Sequence, residues 1–218
     1  MMKLGVISKH NMERFDKKII EKNKSIPLEN RDETKQGLAL KALEDSMYQL
    51  DSEILQDMFA TLIASSLDNR KNAAVLPSFS SILKDLSSDD AILIKKIYML
   101  NAVSTADIKL TQTLGDNVLP CLEDIMLFDD GSMLHQPISV NTLNRLGLIS
   151  LHKTSLVQPN FALNYKHFRQ NNNQFHKYAN KQISRLKGGT PPFNSFVIKE
   201  GYITMTNLGK TFGRIVID

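Results

Sequence analysis

The sequence contains 218 residues, of which 42% are hydrophobic and 23% are charged. This composition excludes a largely disordered or fibrous chain, and the length allows one ordinary domain or two small ones. The 27 basic and 23 acidic side chains give a net charge of +4, but the charge is unevenly divided. Residues 1–144 carry 16 bases and 21 acids, whereas residues 145–218 carry 11 bases and two acids. This basic C-terminal third predicts an anionic partner.

Signals of membrane and secreted proteins are missing. The apolar run from Leu4 to Ile7 is too short for a signal peptide, and no run of ~18 apolar residues could span a bilayer. Cys121 is the only cysteine, so an intrachain disulfide is excluded. Because it lies in an apolar stretch, we expect a buried and unreactive thiol. The sequence predicts a cytoplasmic protein that does not associate with a membrane.

Signals of catalysis are also missing. The sequence has no phosphate-binding or dinucleotide-binding glycine motif and no nucleophile elbow. None of the five histidines has a second His or Cys at a helical metal-binding spacing. The acid pairs Asp89–Asp90 and Asp129–Asp130 are typical of helix starts and turns. We therefore predict no catalytic residue, no metal, no cofactor and no enzyme activity.

Three segments are predicted along the chain. Residues 1–31 form a charged N-terminal segment and linker, residues 32–86 form a helical body, and residues 87–218 form a winged-helix-like unit. Within the body, Asp51 is predicted to cap a broadly apolar, buried and central helix. Pro77 favours the start of a helix over residues 78–86, and Ser87 with Asp90 resembles a capping box before the next one.

The C-terminal segment predicts a helix, a glycine cap and two short strands. Residues 102–136 are less regular, with one helix predicted around residues 118–128. Ser139 is predicted to cap a helix that ends at Gly147 in a left-handed conformation. Strands over residues 149–151 and 202–205 would then form a small β-hairpin, the wing. The predicted fold is therefore mainly α: a helical N-terminal body followed by a winged-helix-like unit with a small β-hairpin and a basic insertion at about residues 157–199.

Two parts of this segment suggest nucleic-acid binding. One face of the predicted recognition helix carries amide and guanidinium groups that can pair with adenine and guanine. The insertion interleaves basic and aromatic residues, as in proteins that bind single strands, although an amphipathic helix that buries its rings gives the same pattern. The candidate nucleic-acid-binding residues are Asn141, Asn144, Arg145, Lys153, Lys166, Arg169, Lys177, Lys181, Arg185 and Lys187.

The sequence also resembles a known family. The segments LEDSMYQLDSEILQDMFATLIASSLD and VLPSFSSILKDLSSDDA, followed by TLNRLGLI and YITMTNLGKTFG, are similar to the abortive-infection alpha (Abi-alpha) family of bacterial phage-defence proteins. The resemblance runs from about Leu38 to Phe212 but does not cover the basic insertion. It implies antiphage defence, in which an infected cell stops growth or dies before phage is released, and it brings no catalytic residues.

Three functions are compatible with these observations. The first is abortive-infection defence through an unidentified protein or nucleic-acid partner; the apolar helices also allow a homo-oligomer. For this function, the loop of Asn69, Arg70, Lys71 and Asn72 is a candidate interaction site, whereas the apolar residues around it are interpreted as packing. The second is a winged-helix DNA-binding transcriptional regulator. The third is a metal-independent nuclease toxin that uses His167 and His176.

Overall fold

A computed structural model describes residues 2–112, 116–154, 158–170, 173–186, 188 and 192–218. These residues form nine α-helices and a five-stranded antiparallel sheet, so the fold is α+β. The predicted mainly α fold with a winged-helix-like unit and a small hairpin is wrong. The sheet was missed because its central pairing joins strands about 90 residues apart, which local sequence periodicity does not report.

The described residues divide into two compact units. Unit 1 comprises residues up to 99 together with 146–148 and 206–218, and unit 2 comprises residues 100–145 and 149–205. Unit 1 is helical; its helices are α1 (Met2–Lys24), α2 (Gln36–Ser46), α3 (Glu53–Ser66), α4 (Ser78–Asp85), α5 (Ser88–Leu100, of which the last residue belongs to unit 2) and α9 (Asn207–Val216).

Helix α3 is the centre of unit 1. Its side chains from Leu55 to Ser66 are buried except for Asp57, and it packs against α1, α2, α4 and α9. This confirms the prediction of a buried central helix. The predicted N-cap is wrong by one residue, because Ser52 and not Asp51 accepts the backbone N–H of Leu55.

The ends of α5 follow from local chemistry. The backbone N–H of Ser87 donates to the Asp90 carboxylate at 2.9 Å, and the Asp90 N–H donates to the Ser87 hydroxyl at 3.2 Å. This reciprocal pair confirms the predicted capping box. At the other end, Asn101 adopts a left-handed conformation with φ 62°, which ends the helix before the first strand.

Helix α9 is positioned by contacts between the segments TLNRLGLI and YITMTNLGKTFG. Thr206 caps the helix by accepting the N–H of Gly209 at 2.9 Å, and its hydroxyl lies 2.6 Å from the carbonyl oxygen of Gly147. Gly147 has φ +71°, which confirms the predicted left-handed glycine. Farther along α9, the Phe212 ring packs edge-on against Phe79 with centroids 5.4 Å apart. The two motifs therefore form part of the same packing core.

Unit 2 is built around the sheet. Its strands are β1 (Ala102–Gln112), β2 (Val118–Leu127), β3 (Met133–Leu134), β4 (Ile149–His152) and β5 (Phe193–Met205), in the spatial order β3-β2-β1-β5-β4. The pairing of β1 with β5 runs from Ala102 opposite Thr204 to Gln112 opposite Phe193. Three helices complete the unit: α6 (Pro137–Arg145), α7 (Pro159–Gln170) and α8 (Gln174–Arg185).

Two local predictions in unit 2 are wrong. Residues 118–127 form strand β2 and not a helix, because they pair with the central strand β1 from Val118 to Leu127. Asp124 has φ 58° within this strand, where the register shifts, so the apolar side chains do not alternate regularly. Helix α6 begins at Pro137 and not after Ser139, because proline is favoured in a first turn, where its missing N–H costs nothing.

Helices α7 and α8 cover one face of the sheet. The core between them and the strands contains Ala106, Ile108, Leu110, Ile125, Leu127, Phe161, Tyr165, Phe168, Phe175, Ala179 and Ile183. Because each of the two helices turns its aromatic and aliphatic side chains toward the sheet, its basic side chains are left on the outer surface.

Candidate nucleic-acid interface

Helix α8 presents a row of cations on its outer surface. Lys177, Lys181 and Arg185 are exposed and follow one another at four-residue spacing, which places successive side chains ~6 Å apart along the helix. No residue from 131 to 199 is an acid, although nine are basic. Within the part of the chain that the structure describes, none of these three side chains forms an ion pair. The row is a surface of unopposed positive charge.

The start of α8 is fixed by a side-chain cap. Asn173 accepts the N–H groups of Phe175 and His176 at 2.9 and 3.1 Å. Phe175 and His176 then turn inward, where the His176 ring packs against Phe168 and Phe196 with centroids 5.0 and 5.4 Å apart. Burial lowers the pKa of His176, and its Nε2 atom has no hydrogen-bond partner among the described residues.

The aromatic residues of the basic insertion divide into buried and exposed rings. Tyr165 and Phe168 are in the core, and the Tyr165 hydroxyl donates to the carbonyl oxygen of Gly201 at 2.7 Å. Burial raises the pKa of Tyr165 to about 12. Phe175 is 8% exposed, whereas Tyr178 is 46% exposed on the same surface as the cation row. Both helices therefore bury aromatic rings as an amphipathic helix does, and Tyr178 is the ring that α8 leaves exposed.

The two candidate cations of α7 lie in different surroundings. Arg169 donates to Glu200 on β5 at 2.8 Å, so its charge is already paired. Lys166 is exposed and lines a pocket of about 460 Å³, together with His167 and the turn at Asp129 and Asp130. Lys166 therefore shares a pocket with carboxylates, unlike the cations of α8.

Lys153 is held by two buried carboxylates of the sheet. Its Nζ lies 3.0 Å from Asp107 Oδ2 and 2.8 Å from Asp124 Oδ1, and the Asp124 N–H donates to Asp107 at 2.9 Å. Partial burial opposes the charge of Lys153, but the hydrogen bonds to Asp124 and Asp107 outweigh it and raise its pKa. Lys153 thus compensates two carboxylates that would otherwise be buried without a counter-charge.

The candidate base-reading residues of α6 share one exposed face. Asn141, Asn144 and Arg145 are all exposed, and Ile138, one turn earlier, is 82% exposed. On the opposite side of the helix, Val140 and Leu143 are fully buried. Base recognition by this face remains a prediction.

The candidate interaction loop in unit 1 is folded back on itself. Arg70 makes a two-pronged contact with Asp68, which lowers the pKa of that carboxyl. Asn72 is buried and donates to Asp32 at 2.8 Å, and Asn69 accepts from Asn30 at 3.0 Å. Lys71 is partly exposed. Most polar groups of this loop therefore have partners in unit 1.

The remaining candidates are not brought together. His167 is exposed in the pocket at Asp129, whereas His176 is buried between two rings, so only His167 is accessible to a substrate. Lys187 lies outside the described residues. Over the described ranges, no group of three or more His, Cys, Asp or Glu side chains could hold a metal ion, and no helix is long and apolar enough to cross a membrane. Cys121 is half-buried, and burial raises its pKa.

The described residues form an α+β protein in which α8 carries an exposed row of cations. The family model for abortive infection alpha matches residues 8–216, and the chain therefore belongs to this family, as the sequence resemblance indicated. No curated protein matches the chain. A solved structure of an uncharacterized protein from the marine bacterium Alcanivorax borkumensis SK2 is similar at 13% identity, covering 69% of this chain and 96% of its own, with a TM-score of 0.35.

Proposed function

We propose that this protein acts in abortive-infection antiphage defence by binding a nucleic acid through α8, without chemistry of its own. Family membership supports the defence role. The observation that carries the binding role is the exposed row of Lys177, Lys181 and Arg185 in a stretch of 69 residues without an acid. A polyanion binds such a row with a favourable free energy, because each phosphate that a cation neutralises releases condensed counterions.

The number of cations sets the expected salt dependence. For three phosphate contacts, affinity should fall roughly 20-fold for a single strand and roughly 40-fold for a duplex between about 50 and 200 mM salt. A protein partner held by one or two charged contacts would show a weaker dependence. The slope therefore reports how many of the three cations are used.

The binding test compares two charge-matched triple variants by fluorescence anisotropy with labelled oligonucleotides. In the first, Lys177, Lys181 and Arg185 are replaced by Gln. In the second, three exposed lysines of unit 1, Lys9, Lys17 and Lys95, are replaced by Gln, which changes the net charge equally. We expect only the first variant to lose affinity and salt dependence. Equal losses in both variants would mean that net charge alone, and not α8, attracts the nucleic acid.

The defence test uses the same two variants in bacteria challenged with a panel of phages. Wild-type protein should reduce plaque formation, and at high phage input the infected cells should die without releasing progeny. The α8 variant should not protect, whereas the unit 1 variant should. Protection that survives loss of the α8 cations would contradict the proposal.

A transcriptional regulator that reads duplex DNA through α6 is the second candidate. The exposed face of Asn141, Asn144 and Arg145 favours it, because these side chains suit adenine and guanine edges. Under this function, Arg145→Ala should relax sequence preference by about 1–3 kcal/mol at one base pair, and the α8 variant should bind a duplex more weakly regardless of sequence. If Arg145→Ala binds duplexes with the same affinity and sequence preference as wild type, the regulator function is excluded.

A further inference from the structure

An aromatic pocket opens beside the first turn of α8. Its volume is about 600 Å³, which is within the range of small-molecule sites. The residues that line it are Leu122, Met133, Leu134, His135, Gln174, Phe175 and Tyr178. It therefore combines residues of β2, β3 and α8 within unit 2.

Three rings give this pocket its chemical character. His135 and Phe175 pack edge to face with centroids 6.2 Å apart, and Phe175 is itself anchored in the core. Tyr178 stands one helical turn beyond Gln174 and remains 46% exposed. A flat aromatic group entering the pocket would find ring faces for stacking and, at Gln174, an amide that both donates and accepts hydrogen bonds.

Helix geometry places the cation row next to these rings. At 100° per residue, Gln174, Tyr178, Lys181 and Arg185 fall within an arc of about 60° on one side of α8, and Lys177 lies about 40° farther round. From Tyr178, the helix rises about 4.5 Å to Lys181 and about 10.5 Å to Arg185. Ring and cations are thus presented on one continuous surface.

We propose that this pocket binds an unpaired base of a single-stranded nucleic acid, while the neighbouring phosphates contact Lys177, Lys181 and Arg185. The inference rests on the proposed function, because it assigns the strand type and the base site of the same surface. Rings stack on any base, so the site is selective for an unstacked base and not for a sequence. A base inside a duplex reaches such a pocket only after it is unpaired and unstacked, which disfavours duplexes.

The test separates stacking from phosphate binding with two oligonucleotides of about 12 nucleotides, a length within the range that one single-strand site covers. One carries bases, and the other has the same sugar-phosphate backbone with abasic tetrahydrofuran sites throughout. Stacking of one base predicts that wild-type protein binds the base-containing strand about 5- to 150-fold more tightly. Tyr178→Ala should abolish most of this preference, and Tyr178→Phe, which keeps the ring, should retain it. Tyr48→Ala, at a tyrosine that is 72% exposed in unit 1, is the matched control and should behave as wild type.

Each outcome has a distinct meaning. Equal affinity for the two strands, or a base preference that survives Tyr178→Ala, overturns the pocket assignment and leaves phosphate binding through α8 intact. A duplex of the same length that competes better than the single strand also overturns it. Failure of every oligonucleotide to bind at low salt overturns the proposed function and the pocket together. A preference that Tyr178→Ala removes and Tyr178→Phe preserves supports the proposal.

Discussion

Replacement of Gly213 by alanine tests how tightly α9 is packed in unit 1. A Cβ built at Gly213 overlaps the ring of Tyr98 and lies 2.8 Å from its Cγ, a separation that real Cβ atoms do not show. The far end of the ring is held by a hydrogen bond, because the Tyr98 hydroxyl donates to Asp218 at 2.5 Å. Burial and this hydrogen bond raise the pKa of Tyr98 to about 12. Helix α9 or the Tyr98 ring must therefore shift to admit one methyl group.

The expected free-energy change combines two opposing effects. Alanine stabilises a helix interior by roughly 0.5–1 kcal/mol relative to glycine, whereas overpacking costs typically about 1–3 kcal/mol. Because several ring atoms are too close, we take the upper part of the overpacking range and expect a net destabilisation of about 1–2 kcal/mol. For a chain of this length, such a loss lowers Tm by roughly 2–8 °C.

Thermal and urea unfolding followed by circular dichroism measure this effect. The matched control is Gly37→Ala in α2, where nothing lies within 4 Å of a built Cβ. Gly37→Ala should raise stability by roughly 0.5–1 kcal/mol, since only the helix effect remains. If Gly213→Ala is as stable as wild type or more so, the close contact of α9 with Tyr98 is wrong. A second check is Tyr98→Leu, which should reduce the cost of Gly213→Ala if the two residues are coupled.

Three further predictions concern other parts of the fold. Replacing Lys153 by Met should destabilise the protein by about 1–3 kcal/mol, because two buried carboxylates lose their counter-charge. Lys153→Arg keeps the charge and should cost less. Equal urea midpoints for wild type and Lys153→Met would contradict this prediction. Thr206→Val should lower the free energy of unfolding by roughly 0.5–2 kcal/mol, because α9 loses its N-cap. Thr206→Ser keeps the hydroxyl and should be nearly neutral. Equal losses of stability in the two variants would contradict a stabilising role for the cap. The pKa of His176 is lowered in the folded protein, so the unfolded chain binds a proton at a higher pH than the folded protein does. The free energy of unfolding should therefore fall as the pH drops below the ordinary histidine pKa of about 6.5. The slope from this residue is at most ~1.4 kcal/mol per pH unit. His176→Leu should remove this contribution, and an unchanged acid sensitivity in that variant would show that the His176 side chain is not protected in the folded state.

Local chemistry made parts of unit 1 predictable. The capping box at Ser87, the left-handed Gly147 and the buried helix α3 depend on residues close together in sequence, and each was expected from its pattern. Each feature belongs to the segments that identify the family. The structure therefore supports the interpretation that these segments are characteristic of the family because they determine how unit 1 folds and packs.

The sheet was not predictable by the same means. Residues 103–108 are all buried although Ser104, Thr105 and Asp107 are polar, and the alternation of apolar and polar side chains in β1 is confined to residues 106–111. Strand β2 contains Pro120, Glu123 and Asp124, which obscure its apolar end. Strand β1 is also paired along its length with β5, about 90 residues away in sequence, and a local window carries no information on that pairing.

The candidate site was predictable in its charge but not in its orientation. The sequence identified Lys177, Lys181 and Arg185, yet it could not tell which rings of the insertion face the sheet. Packing decides this, since Phe168 is in the core and Tyr178 is not. The pocket at Tyr178 was missed because its walls on β2 and β3 lie 44 to 56 residues away in a segment interpreted as helix and loop.

The division of unit 1 among distant chain segments has a consequence for biosynthesis. Phe79 and α3 need α9 to complete their packing, but 119 residues separate residue 99 from residue 218. At a translation rate of ~5–20 residues per second, the ribosome takes about 6–24 s to cover that distance. Throughout this interval the nascent helices expose the apolar surface that α9 later covers, so unit 1 can complete its core only after the C-terminal helix has been made.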